Sequence, residues 1–129
     1  MITFSNPKTV RAPAGAYSHA AMMVGPGRRL VLSGQVGIAP DGSTPEEPEA
    51  QMAQALANLR ALLTAHGMGP AQVVKMTVFL TDPALIGAWR AARTAAMEGA
   101  APASTLLIVA GLADPRWVVE VEAEAFDAA

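Results

Sequence analysis

The chain has 129 residues, 52% of them apolar, with no cysteine and a formal net charge of −2. That length suits one domain over residues 1–129, burying roughly two-thirds of its unfolded surface. Without cysteine there are no disulfides and no thiolate chemistry. No run reaches the roughly 18 apolar residues of a membrane span, and the nine basic residues are scattered, Arg28-Arg29 being the only adjacent pair, which argues against a nucleic-acid footprint.

The first residues, Met1-Ile2-Thr3-Phe4-Ser5-Asn6-Pro7, lack the basic-then-apolar pattern of a signal peptide, so a cytoplasmic location is expected. Residues 1–15 read as a mostly irregular lead-in. Ala16–Val24 reads as a first strand and Leu30–Val36 as a second. The Gly25-Pro26-Gly27 turn signal between them predicts a hairpin. After a loop at Ala39–Ser43, a helix is expected to begin near Pro48, because proline suits the first helical position. Thr44-Pro45-Glu46-Glu47 also fits a capping box and an earlier start. Met52, Ala55, Leu56, Leu59, Leu62 and Leu63 form an apolar stripe at helical spacing, and Gly67 is a natural stop.

Val73–Leu80 alternates as a strand, with Val74, Met76, Val78 and Leu80 on one face. Asp82 can cap a second helix with Pro83 at its first position. Ile86, Trp89, Arg93, Ala96 and Met97 fall on one side of that helix, and Gly99 ends it. Two further strands flank the turn at Gly111–Arg116. In the last one Trp117, Val119, Val121, Ala123 and Ala125 share a face, and Glu120, Glu122 and Glu124 share the other. The order β-β-α-β-α-β-β defines an α+β two-layer domain, with the helices over the apolar sheet face. The glutamate face is left for solvent or for neighbouring subunits. The high apolar share points to self-association.

Taken alone, the chain holds no phosphate-binding glycine loop, nucleophile elbow or Cys/His metal spacing. His19 and His66 are the only histidines, and neither a metal nor a cofactor is expected. The glutamate row reads either as a solvated sheet face or as the source of one carboxylate that does acid/base work in a pocket.

Several pieces together carry a family resemblance. They are Gly15-Ala16-Tyr17-Ser18, Ser33-Gly34-Gln35, Val78-Phe79-Leu80-Thr81-Asp82, Pro102-Ala103 and Glu120-Val121-Glu122-Ala123. In this order, across about Ala12 to Phe126, they resemble the Rid/YjgF (RidA-like) family. The resemblance implies a small homotrimer of chorismate-mutase-like fold, with two helices on one face of a mixed sheet. It also implies hydrolysis of reactive imines and enamines, in a pocket between subunits. By the same resemblance Tyr17 and Glu120 are the catalytic candidates, the glutamate placing or activating water. Ser33, Ser104, Arg90 and Leu106 are the substrate-binding candidates.

The chain departs from the family's pattern at several places, and one of them bears directly on substrate binding. The usual Pro-Ala-Arg-Ser is here Pro102-Ala103-Ser104-Thr105, so the arginine that grips a substrate carboxylate is missing. A neutral hydroxyl cannot replace a planar fork that makes two parallel charged bonds. Arg90, where active members often carry asparagine, either supplies a displaced cation or faces solvent. Leu106, where many members carry cysteine, makes the pocket more apolar. Two functions therefore stand: an atypical imine/enamine hydrolase (deaminase), or a non-catalytic metabolite-binding trimer. A purely structural oligomer is a third. Tyr17, Ser33, Ser104 and Glu120 are expected to border one cleft built from more than one subunit. Hydrolysis of 2-iminopropionate or 2-iminobutyrate is expected to be weak and to gain from Ser104→Arg, unless a cation such as Arg90 substitutes.

Overall fold

The computed structural model describes residues 1–129. In chain order the elements are β1 (Ile2–Ser5), β2 (Ala20–Met23), β3 (Gly27–Val36), α1 (Pro48–Ala65), β4 (Val73–Leu80), α2 (Ile86–Ala96), β5 (Ala103–Ile108) and β6 (Val119–Ala128). The main sheet runs β3-β6-β4-β5, and β1 and β2 form a separate two-stranded ribbon. β6 is antiparallel to both β3 and β4, whereas β5 is parallel to β4. The sheet is therefore mixed, and α2 is the crossover that parallel pairing of β4 and β5 requires.

Both helices lie over the same face of the sheet. α1 contributes Met52, Ala55, Leu56, Leu59 and Leu63 to the core, and α2 contributes Trp89. They meet Met76, Val78 and Leu80 from β4 and Val119, Val121, Ala123 and Ala125 from β6. The alternation read from the sequence is thus the helix-facing side of two adjacent central strands. α1 begins at Pro48, with Glu47 extended at φ −71° and ψ 131°, so the earlier capping-box start is not used. Gly67, at φ +71°, follows the His66 cap and turns the chain out of the helix. Asp82 caps a short 3-10 turn, Pro83–Leu85, by accepting from the Ala84 amide, and the α-helix starts one turn later at Ile86.

The hairpin expected across Gly25-Pro26-Gly27 does not form. β2 instead pairs with β1, from Ile2 opposite Met23 to Ser5 opposite Ala20, while β3 pairs with β6. Residues 2–5 are therefore a strand, not irregular lead-in. The N-terminal ammonium donates to the Val24 carbonyl, and the Val24 amide donates back to Met1. Those bonds engage the β2 edge. Gly25, at φ +88°, and Pro26, which has no N–H to give, carry the chain away to β3.

β3 is also irregular at a telling place. Leu32 lies opposite Ala123 and Gln35 opposite Val121, so Ser33 and Gly34 together face a single residue of β6. This is a β-bulge at the Ser33-Gly34-Gln35 motif, a device that re-aims side chains next to sites.

Candidate functional site

Two clusters hold the residues singled out from the sequence, on opposite faces of the sheet. The first lies on the helix side, at the β5 edge. Ser18 donates its hydroxyl to the Ala101 carbonyl at 2.7 Å, and its amide to Pro102 at 3.2 Å. An isolated parallel bridge joins Ser18 to Ala103. These bonds fasten the segment before β2 to the start of β5, and so bring Tyr17 beside Ser104. The Tyr17 ring also meets His19 edge-on, with centroids 5.8 Å apart, and its oxygen accepts from the Ala14 amide at 3.4 Å.

A pocket of about 210 Å3 opens there. Tyr17, Arg90, Ser104 and Leu106 all line it, and Met76, Val78 and Trp89 supply apolar wall. Ser104 and Leu106 sit opposite Met76 and Val78 in the parallel ladder, which puts all four on the helix-facing side. Four of the six expected site residues thus share one concavity. So does Arg93, which lies on the apolar stripe of α2 and is 9% exposed. Burial, and after it the neighbouring Arg90 charge, lower the Arg93 pKa from its ordinary value. The pocket wall includes no carboxylate.

The second cluster is on the bare face. Glu120 lies opposite Phe79 on β4 and Val36 on β3. Phe79 and Met76 are three residues apart on one strand, so Glu120 points away from Ser104. The half-buried Glu120 carboxylate packs against Gly34, at the bulge, where an added Cβ would collide with Glu120 Oε2. Ser33 is the exposed neighbour in the same bulge. Within one chain the Ser33–Glu120 group and the Tyr17–Ser104 group therefore do not meet.

His66 occupies the end of α1, its Nδ1 2.8 Å from the Leu62 carbonyl. No three His, Asp or Glu side chains gather as a metal site would need. No helix is long and apolar enough to cross a membrane.

A small α+β chain with two helices on one face of a mixed sheet is an architecture shared with known proteins. The family model described as Endoribonuclease L-PSP matches residues 8–126. This chain belongs to that family, the Rid/YjgF family. It is 37% identical over 120 residues to a 2-iminobutanoate/2-iminopropanoate deaminase of Mus musculus, covering 89% of this chain and 85% of that protein. It is 36% identical over 76 residues to the TdcF protein of Escherichia coli K12, a match covering 58% of each chain. Among solved structures, the Rid-family protein YyfB of Yersinia pestis superposes with a TM-score of 0.88 at 34% identity, covering 96% of this chain and 97% of that one. Escherichia coli TdcF with bound serine gives 0.74 at 25% identity, covering 98% and 99%.

Proposed function

We propose that this chain is one Rid-type domain that assembles as a homotrimer and hydrolyses a small imine or enamine, in pockets shared between neighbouring subunits. The observation that carries the reading is the convergence of Tyr17, Arg90, Ser104 and Leu106 on one small concavity at a free sheet edge. Sites of this kind combine apolar walls with a few polar groups, and they favour interfaces. The relative from Mus musculus is named for deamination of imines, and the Escherichia coli TdcF structure holds an amino acid. Both fit a pocket for a small metabolite.

The chemistry then needs a base, and Glu120 of a neighbouring subunit is the candidate. Water attacks the imine carbon while the carboxylate takes its proton. That proton passes to nitrogen to give a carbinolamine; its hydroxyl then gives up its proton and nitrogen takes it, the C–N bond breaks as the C=O bond forms, and a carbonyl compound and ammonia leave. Tyr17 shapes the pocket and Ser33 borders the carboxylate. The bare face suits burial against another subunit, because Val31 and Leu107 stand exposed on it at 61% and 45%. No cofactor or metal is invoked, and the setting is cytoplasmic. The alternative of plain metabolite binding is separated by turnover. Ammonia release from freshly generated 2-iminobutyrate, faster with the protein than in buffer and lost in Glu120→Gln, supports the hydrolase. Rates equal to buffer at saturating protein would leave only the binding role.

A further inference from the structure

We propose that Arg93 is the anion anchor of this pocket, gripping the carboxylate of a small aliphatic ligand from α2, where the family's usual arginine would reach from β5. The proposal rests on reading the pocket as the substrate site. It identifies a binding residue that the sequence pattern did not reveal.

Arg93 is 9% exposed, and its Nε is buried without a hydrogen-bond partner. The four ion pairs of the chain use Arg28, Arg29, Arg60 and Arg116, so no carboxylate of the protein neutralises Arg93. An arginine cannot shed its proton to escape this situation. A buried cation without a partner is costly, and a charge held this way at a pocket wall gains from an anionic ligand. Arg90 adds to the imbalance, because residues three apart on a helix are neighbours and like charges there repel. The guanidinium lies in the pocket wall rather than in the sealed core. Its Nη2 is 3.7 Å from where a Cβ on Gly15 would stand, which puts the head group under the Gly15–Tyr17 segment.

The rest of the pocket limits the ligand. Met76, Val78, Trp89 and Leu106 offer apolar wall, and Ser104 and Tyr17 offer neutral polar groups. A cavity of about 150 Å3 takes benzene, so roughly 210 Å3 suits a ligand of about six to ten heavy atoms. The fork of Arg93 matches a carboxylate through two parallel bonds. A short alkyl chain bearing one carboxylate satisfies both halves of the site.

The test is thermal unfolding of the full chain with 2-oxobutyrate, its neutral amide, and inorganic phosphate as separate probes. 2-Oxobutyrate is expected to raise the wild-type Tm, the amide to leave it unchanged, and phosphate to act more weakly than 2-oxobutyrate. Arg93→Met should abolish the 2-oxobutyrate shift while its own unliganded Tm stays equal to the wild-type value or rises, because an unpaired buried charge is gone. Arg93→Lys keeps the charge but not the fork, and should weaken 2-oxobutyrate affinity about tenfold. A 2-oxobutyrate shift that survives in Arg93→Met, or an amide as effective as the acid, overturns the proposal. Should Arg93→Met fail to fold, undiminished affinity in Arg93→Lys overturns it equally. Turnover of 2-iminobutyrate separates the two readings. Carboxylate binding through Arg93 without turnover supports the anchor and removes the hydrolase. Turnover with unchanged KM in Arg93→Met removes the anchor and keeps the hydrolase.

Discussion

Gly34 packs directly against the carboxylate of Glu120, the proposed base. A methyl group on Gly34 would occupy the space of the Glu120 carboxylate, so Gly34→Ala must push that side chain aside. Catalytic groups tolerate little displacement. Gly34→Ala is therefore expected to lower kcat at least tenfold while leaving the unfolding midpoint nearly unchanged, as steady-state kinetics and urea titration would show. Glu120→Gln removes the proposed base and should cost about 10²–10⁴ in kcat. The Ser104→Arg substitution now carries a different expectation from the one the motif suggests. With Arg93 and Arg90 already at the pocket, a third guanidinium adds repulsion, and 2-iminobutyrate turnover should fall rather than rise. At this scale the sequence was partly legible. Tyr17, Arg90, Ser104 and Leu106 do share a pocket. Arg93 was hidden because helical spacing marks a residue as inward-facing without saying what it meets there. A charged residue on an otherwise apolar stripe was the signal available.

Between elements, the connection that sequence patterning could not disclose is Gln51. It is 1% exposed and sits on α1. Its amide nitrogen donates to the carbonyls of Pro45 at 3.0 Å and Arg116 at 2.9 Å, and its oxygen accepts from the Val118 amide at 3.0 Å. One buried side chain thus ties the loop before α1 to the entrance of β6, the strand that carries Glu120. Gln51→Leu would leave three backbone groups without partners and is expected to cost about 2–4 kcal/mol in urea unfolding. Close by, a Cβ on Gly37 would lie 2.7 Å from the Gln51 carbonyl oxygen, which explains a glycine where β3 passes under α1. In the turn before β6, Asp114 accepts from Arg116 Nε at 3.1 Å and Nη2 at 2.7 Å, and its carboxyl is held down at about 2, from an ordinary 3.8. An acid with a depressed folded pKa stabilises most above its unfolded value and loses that contribution as pH falls through the folded one. The stability difference between wild type and Asp114→Asn should therefore be small and full above about pH 4 and fade toward pH 2 in acid titrations, solvent keeping it small.

Strand and helix positions were legible because burial on one face writes its period into the sequence. Pairing partners were less so. Nothing in the β2 pattern distinguishes the β1 edge from the β3 edge. The choice rests on the chain's first residue bonding to Val24 and on the turn dihedral at Gly25.

For the whole molecule, the central claim is that the site is assembled from two chains. β3 and β5 are opposite edges of the sheet, and the two residue clusters lie on opposite faces. Self-association is what can unite them. Light scattering should give three times the 13.3 kDa chain mass. RNA is expected to bind weakly at physiological salt. The net charge is −2, four of the seven arginines are paired with carboxylates, and Arg93 is buried, so the cations do not cluster as phosphate binding needs.

Subunit complementation tests that claim most directly. Glu120→Ala damages one half of the shared site and Arg93→Met the other, so each homotrimer should hydrolyse 2-iminobutyrate at background rate. Unfolded together and refolded as a one-to-one mixture, the two variants should form hybrid trimers in which about a quarter of the sites combine two intact halves. The account predicts recovery of roughly that fraction of wild-type activity. Activity that stays at background in verified hybrid trimers would contradict it.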